Sequence, residues 1–249
     1  SLPAIASARM HLLPPYIFGE LNRLKHDQRK AGADIIDFGM GNPTDPTPEM
    51  VVKKLCEAAQ DQRNHRYSAA AGVYNLRREA ARFYARRYDV ELDPEAEVIT
   101  TIGSKEGLSH LCLAILGPGE SALVPTPAFP IHVYAPIIAG GNVIGITMGE
   151  GDDEQCQERT LKGIADACRS ISPRPKVVIA CSPHNPTARV YTAPFYRELI
   201  RLAKEKPGQV TNGSSGNGSL HHLAGEVFKR LTGTNIIHVP FKGGGPMIV

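Results

Sequence analysis

Three short stretches carry residue types able to bind an anion and a flat ring. In Thr101-Ile102-Gly103-Ser104-Lys105-Glu106-Gly107, a glycine, a hydroxyl and a cation lie between a β-rich run and an apolar-periodic one. A helix start offers unpaired backbone N–H groups and the positive end of the helix dipole. Gly103 lets a ligand approach the backbone, and Ser104 and Lys105 add a donor and a charge, so the turn has the makings of a phosphate cradle. Pro125-Thr126-Pro127-Ala128-Phe129-Pro130-Ile131-His132 and Ser182-Pro183-His184-Asn185-Pro186-Thr187-Ala188 follow later strand ends. Phe129 can stack on a heteroaromatic ring, and Asn185, held by Pro186, can hydrogen-bond a phenolic oxygen. Each also has a plainer alternative: glycine and serine serving turn geometry, a core aromatic, and a turn-forming Asn-Pro.

These stretches must be held by strands and helices. Periodicity and end signals predict a helix over Tyr16–Lys30 closed by Gly32, and another over Pro48–Gln60 with Thr47 as N-cap and Pro48 at the first helical position. From Glu97 on, β-rich runs alternate with amphipathic ones. Strands are expected over Val98–Thr101, Ala122–Val124, Val143–Ile146 and Lys176–Ala180. Helices are expected over Lys105–Leu116, Ile131–Ala139, Leu161–Arg169 and Pro194–Lys204. Such alternation gives an α/β fold: a mainly parallel sheet with helices on both faces and ligands at the carboxyl ends of the strands. The three stretches fall in strand-to-helix loops, as that architecture requires.

Composition narrows the classes of function. With 249 residues and 42% hydrophobic side chains the chain can bury a sizeable core. Its 28 basic and 25 acidic residues are intermixed, so the net charge of +3 marks no nucleic-acid or membrane patch. Five scattered cysteines without a CxxC pair fit a reducing compartment better than a disulfide framework or zinc site. No run is long and apolar enough for a membrane span, and Ser1 to Met10 lack a secretory pattern. The expectation is a cytoplasmic protein without nucleic-acid, membrane or metal partners.

Asp37-Phe38-Gly39-Met40-Gly41-Asn42-Pro43, Arg66-Tyr67-Ser68, Ile102 to Gly107, Phe129 to His132 and Asn185-Pro186-Thr187-Ala188 together resemble class I aminotransferases. Within these the similarity is to the alanine (glutamate-pyruvate) branch, and it runs from about Leu12 to Lys204. The resemblance implies an incomplete fold-type-I large domain over 47–205, preceded by an N-terminal arm and the start of a small domain over 1–46. It also implies pyridoxal 5'-phosphate as cofactor and transfer of an amino group between an amino acid such as alanine or glutamate and a 2-oxo acid. By the same resemblance Gly103, Ser104 and Lys105 would hold the cofactor phosphate, Phe129 would stack on its ring, and Asn185 would bond the ring hydroxyl. Gly41 would meet the substrate carboxylate through its backbone. Tyr67 would reach the phosphate of a neighbouring subunit, implying a homodimer. Phe129 stands where this branch usually has Tyr, which keeps the stacking face and loses a hydroxyl.

Past Lys204 the resemblance ends. The family's Asp that pairs with the pyridine nitrogen, the lysine that forms the Schiff base and the later substrate-binding Arg have no matching segment here. The chain is therefore expected to lack covalent catalysis, and no catalytic residue is assigned. Lys242, after a β-rich run, is the one conceivable substitute for the missing lysine. The segment 206–249 begins with a Gly/Ser/Asn-rich stretch, Gly208–Ser219, that reads as linker. An apolar-periodic helix over Leu220–Leu231 and a strand over Ile236–Phe241 follow. This tail resembles a fragment of a tripartite tricarboxylate transporter substrate-binding protein, in which Ser214-Ser215-Gly216 could meet an anion. Two families joined in one chain suggest a chimera, with a carboxylate-binding module or an inert fusion as the alternatives to an aminotransferase-type protein. His221 and His222 are adjacent, and so make a poor metal pair.

Overall fold

A computed structural model describes residues 5–39, 41, 44–204, 211–214 and 237–240. The chain divides into two compact units, one of residues 1–13 with 69–249 and one of residues 14–68. The smaller unit holds helices α1 (Ile17–Lys30) and α2 (Glu49–Gln60) and a 3-10 turn over Gln62–Asn64. Gly32 follows α1 in the left-handed region at φ +85°, where a glycine stops a helix without strain. α2 begins one residue later than its sequence predicts. Pro48 is the N-cap, with no side-chain cap bond, so Thr47 does not cap this helix.

The larger unit is built on a three-stranded parallel sheet, order β2-β1-β3, with β1 Ser121–Thr126, β2 Asn142–Thr147 and β3 Val177–Val178. Around it run α3 (Tyr74–Tyr88), α4 (Gly103–Ile115), α5 (Pro130–Ile138), α6 (Asp153–Ser170) and α7 (Ala193–Lys204). β1 is central and its side chains alternate between two cores. Ala122 packs with Leu111, Cys112, Ile115 and Ala135 of α4 and α5, whereas Leu123 packs with Ile146 and with Ile164 and Ala167 of α6. That alternation covers both faces of the sheet with helices, as expected for parallel strands. β3 has only two ladder residues, Val177 and Val178, in register with Ala122 and Leu123. The Lys176 and Ile179 amides still bond the carbonyls of Ser121 and Leu123, at 2.9 and 3.0 Å.

The expected strand over Val98–Thr101 does not form. Val98 is buried, but the Thr100 amide donates to the Ala71 carbonyl at 3.1 Å instead of joining the sheet. α3 was not anticipated from the sequence. Its buried positions are Arg77 and Ala81, and the Arg77 guanidinium donates to the carbonyls of Gly72 and Pro94. A helix anchored by a buried arginine shows no apolar stripe to read. In the tail, Thr211–Ser214 (β4) pairs in parallel with Ile237–Pro240 (β5). A linker over Gly208–Ser219 is thus corrected where β4 lies, and the strand expected over Ile236–Phe241 is present. The helix expected over Leu220–Leu231, and Lys242, lie outside the described residues.

Candidate functional site

α4 begins at Gly103, whose φ of +80° lies in the left-handed region that favours glycine. Its N–H donates to the Thr101 carbonyl at 2.9 Å, and no heavy atom lies within 4 Å of where a Cβ would sit. The approach to the first turn is therefore open. Ser104 and Lys105 are both exposed there. Glu106 turns back to accept from the Ile102 N–H, a capping arrangement that, with the Gly103 bond to Thr101, occupies the two amides at the helix start and leaves the Ser104 and Lys105 amides of the first turn.

Phe129 ends the loop after β1 and is the N-cap of α5, with Pro130 at the first helical position. Its ring is half-buried, and the Lys105 ammonium lies 5.1 Å from the ring centroid. That distance brings the start of α4 and the carboxyl end of β1 to one place, a cation beside an aromatic face. Behind the ring, His132 meets it edge-on with centroids 5.9 Å apart. Burial, and then the neighbouring His184, lower the His132 pKa from the ordinary histidine value of 6.5, so its imidazole is held neutral.

The third stretch follows β3, the strand bonded directly to β1. His184 is buried at 2% exposure, with Nδ1 2.9 Å from the Thr187 hydroxyl. Burial lowers its pKa too, partly offset by a hydrogen bond to the Pro125 backbone, which ties this loop to the end of β1. Asn185 is exposed next to it. The loop closes on itself through the His184 amide to the Arg189 carbonyl at 2.7 Å and the Ala188 amide to the His184 carbonyl at 2.6 Å.

Of the residues singled out by sequence, Lys105 meets Phe129, Ser104 precedes Lys105 in the same first turn of α4, and Asn185 stands on the adjacent strand's loop. Gly41 and Tyr67 belong to the 14–68 unit. There Tyr67 is fully exposed, and no heavy atom lies within 4 Å of where a Cβ on Gly41 would sit. His132 and His184 were not given a role from sequence. The one available hint was spacing, since His132 sits three residues after Phe129 on the same helix start. No cluster of three or more His, Cys, Asp or Glu residues suited to a metal occurs among the described residues.

A parallel α/β sheet with helices on both faces, and with the Gly103, Phe129 and Asn185 loops at its strand ends, is an architecture in which small molecules bind at the carboxyl edge of the sheet. The chain belongs to the family of aminotransferases of class I and II, whose sequence pattern matches residues 33–210. It is 46% identical over 196 residues to the glutamate-pyruvate aminotransferase AlaC of Escherichia coli, covering 79% of this chain and 46% of that protein. It is 38% identical over 199 residues to the LL-diaminopimelate aminotransferase of Aquifex aeolicus, covering 80% of this chain and 50% of that one. The fold is similar to the crystal structure of aspartate aminotransferase from Thermotoga maritima, with a TM-score of 0.67 and 30% identity over 80% of this chain and 51% of that one. The chain thus spans about half the length of the curated relatives it matches.

Proposed function

We propose that the turn opened by Gly103 holds the phosphate of pyridoxal 5'-phosphate, and that the chain binds this cofactor for the amino-group transfer of its family, between an amino acid such as alanine or glutamate and a 2-oxo acid, with none of its described residues assigned the covalent step. The observation that carries this reading is the Lys105 ammonium 5.1 Å from the Phe129 ring centroid, at an open helix start. An anion on the first-turn amides and the Ser104 hydroxyl places its attached ring toward Phe129, so the residues fit the group. When bound, the cofactor supplies an electron-accepting ring and an aldehyde for amine chemistry.

The chain's own side chains do the positioning. Lys105 neutralises the anion, Phe129 presents its face, and neutral His132 backs Phe129 without adding charge. The Asn185 amide donates to the ring hydroxyl oxygen. Gly41 offers its backbone to a substrate carboxylate. Tyr67, fully exposed on its own unit, is free to reach the phosphate of a second copy, so the assembly is a homodimer sharing its sites. Five free cysteines fit a reducing cytoplasm.

Added inorganic phosphate and pyridoxal phosphate should each raise the melting temperature, and Ser104→Ala with Lys105→Ala should abolish both rises. A rise that survives the double substitution places the anion elsewhere. Sedimentation should show a dimer, and Tyr67→Ala should weaken pyridoxal phosphate binding in it. A monomer that binds as tightly contradicts the shared site.

A further inference from the structure

The loop that carries Asn185 closes on itself and is also tied at two points to the start of α6 and the residues just before it. The Arg189 guanidinium donates through Nη1 to Asp153 Oδ1 at 2.9 Å and through Nη2 to the Gly151 carbonyl at 2.8 Å. Three residues on, Gln157 Oε1 accepts from both the amide and the hydroxyl of Thr192, each at 2.8 Å. Gln157 is itself buried and held by its Nε2 donating to the Asp153 carbonyl at 3.0 Å. Asp153 therefore receives Arg189 on its carboxylate and Gln157 on its backbone, joining the two ties.

Arg189 is also the residue that closes the turn. Its carbonyl accepts the His184 amide at 2.7 Å, so its backbone sets one end of the 184–189 turn while its side chain anchors that turn to α6. A planar guanidinium held at two acceptors fixes orientation as well as distance, which a single contact does not. Asn185 lies inside that turn, one residue from buried His184.

We propose that Arg189, with Gln157, is a positioning residue for cofactor recognition: by clamping the Ser182–Thr192 loop to the start of α6, it holds Asn185 where its amide can donate to the ring hydroxyl of pyridoxal phosphate. The inference rests on the cofactor site proposed above. It acts on the ring end of the ligand only, because the phosphate end is held by α4, which Arg189 does not touch.

The test compares wild type, Arg189→Ala and Arg189→Lys in the full chain, titrated with pyridoxal phosphate, with inorganic phosphate and with a pyridoxal phosphate analogue lacking the ring hydroxyl. Arg189→Ala should weaken pyridoxal phosphate about five- to tenfold, the worth of one hydrogen bond, and leave inorganic phosphate and the analogue unchanged. Arg189→Lys, which keeps the charge and one of the two contacts, should fall between. Equal pyridoxal phosphate affinity in wild type and both variants overturns the inference. So does a loss shared equally by all three ligands, which marks a purely structural role. Should Arg189→Ala not fold, the comparison of Arg189→Lys across the three ligands decides in the same way. Failure of wild type to bind phosphate or pyridoxal phosphate refutes the cofactor site itself, and this inference with it.

Discussion

Lys105 is the cation proposed to meet the cofactor phosphate, and its ammonium lies beside the face of Phe129. Its removal alone is expected to weaken pyridoxal phosphate roughly ten- to a hundredfold, the range for a charge-assisted hydrogen bond. His132, edge-on to the Phe129 ring, sets a different dependence. Burial, with His184 beside it, keeps the His132 pKa below 6.5 in the folded chain. As pH falls through 6.5 the unfolded chain takes up the proton first, so stability drops from there downward until the lowered folded value is passed. The melting temperature should therefore fall as pH drops through about 6.5, and His132→Asn should reduce that slope, the remainder belonging to His184, whose pKa burial also lowers. An unchanged slope shows that other groups set it. At this scale the sequence was informative where chemistry needs a local pattern. Gly103, Ser104 and Lys105 are adjacent, and so could be read as one cradle. His132 and His184 become neighbours only through the pairing of β1 with β3, which no short window displays.

Among the elements, α6 holds the loop that bears Asn185, and its beginning was the hardest to read. The helix starts at Asp153, with Asp152 as N-cap accepting the Gln155 amide at 2.9 Å, eight residues before the apolar pattern suggests. Its first two turns bury Cys156, Gln157 and Thr160, and the Thr160 hydroxyl bonds back to the Cys156 carbonyl at 2.7 Å. A buried face made of polar residues carries no aliphatic periodicity, whereas Ile164 and Ala167 further along do. Where α6 meets α7, Tyr191 stacks flat on Phe195 with centroids 4.0 Å apart, and the Tyr191 hydroxyl is buried without a partner. Tyr191→Phe removes an unpaired polar group while keeping the stack, so it should stabilise the fold by about 1 kcal/mol in chemical denaturation. A loss of stability instead shows that this hydroxyl has a partner in solution.

For the whole molecule, the alternation of β-rich and helical runs from Glu97 onward was enough to read a parallel α/β sheet, because that rhythm admits few topologies. Charge balance named no ligand, and the local motifs did. A crystal structure of the chain soaked with pyridoxal 5'-phosphate decides whether the motifs form one site. The phosphate is expected on the amides and hydroxyl of the Gly103–Lys105 turn, with the ring stacked on Phe129. Density for the ligand away from that turn, or a ring that leaves Phe129 untouched, contradicts the proposed site.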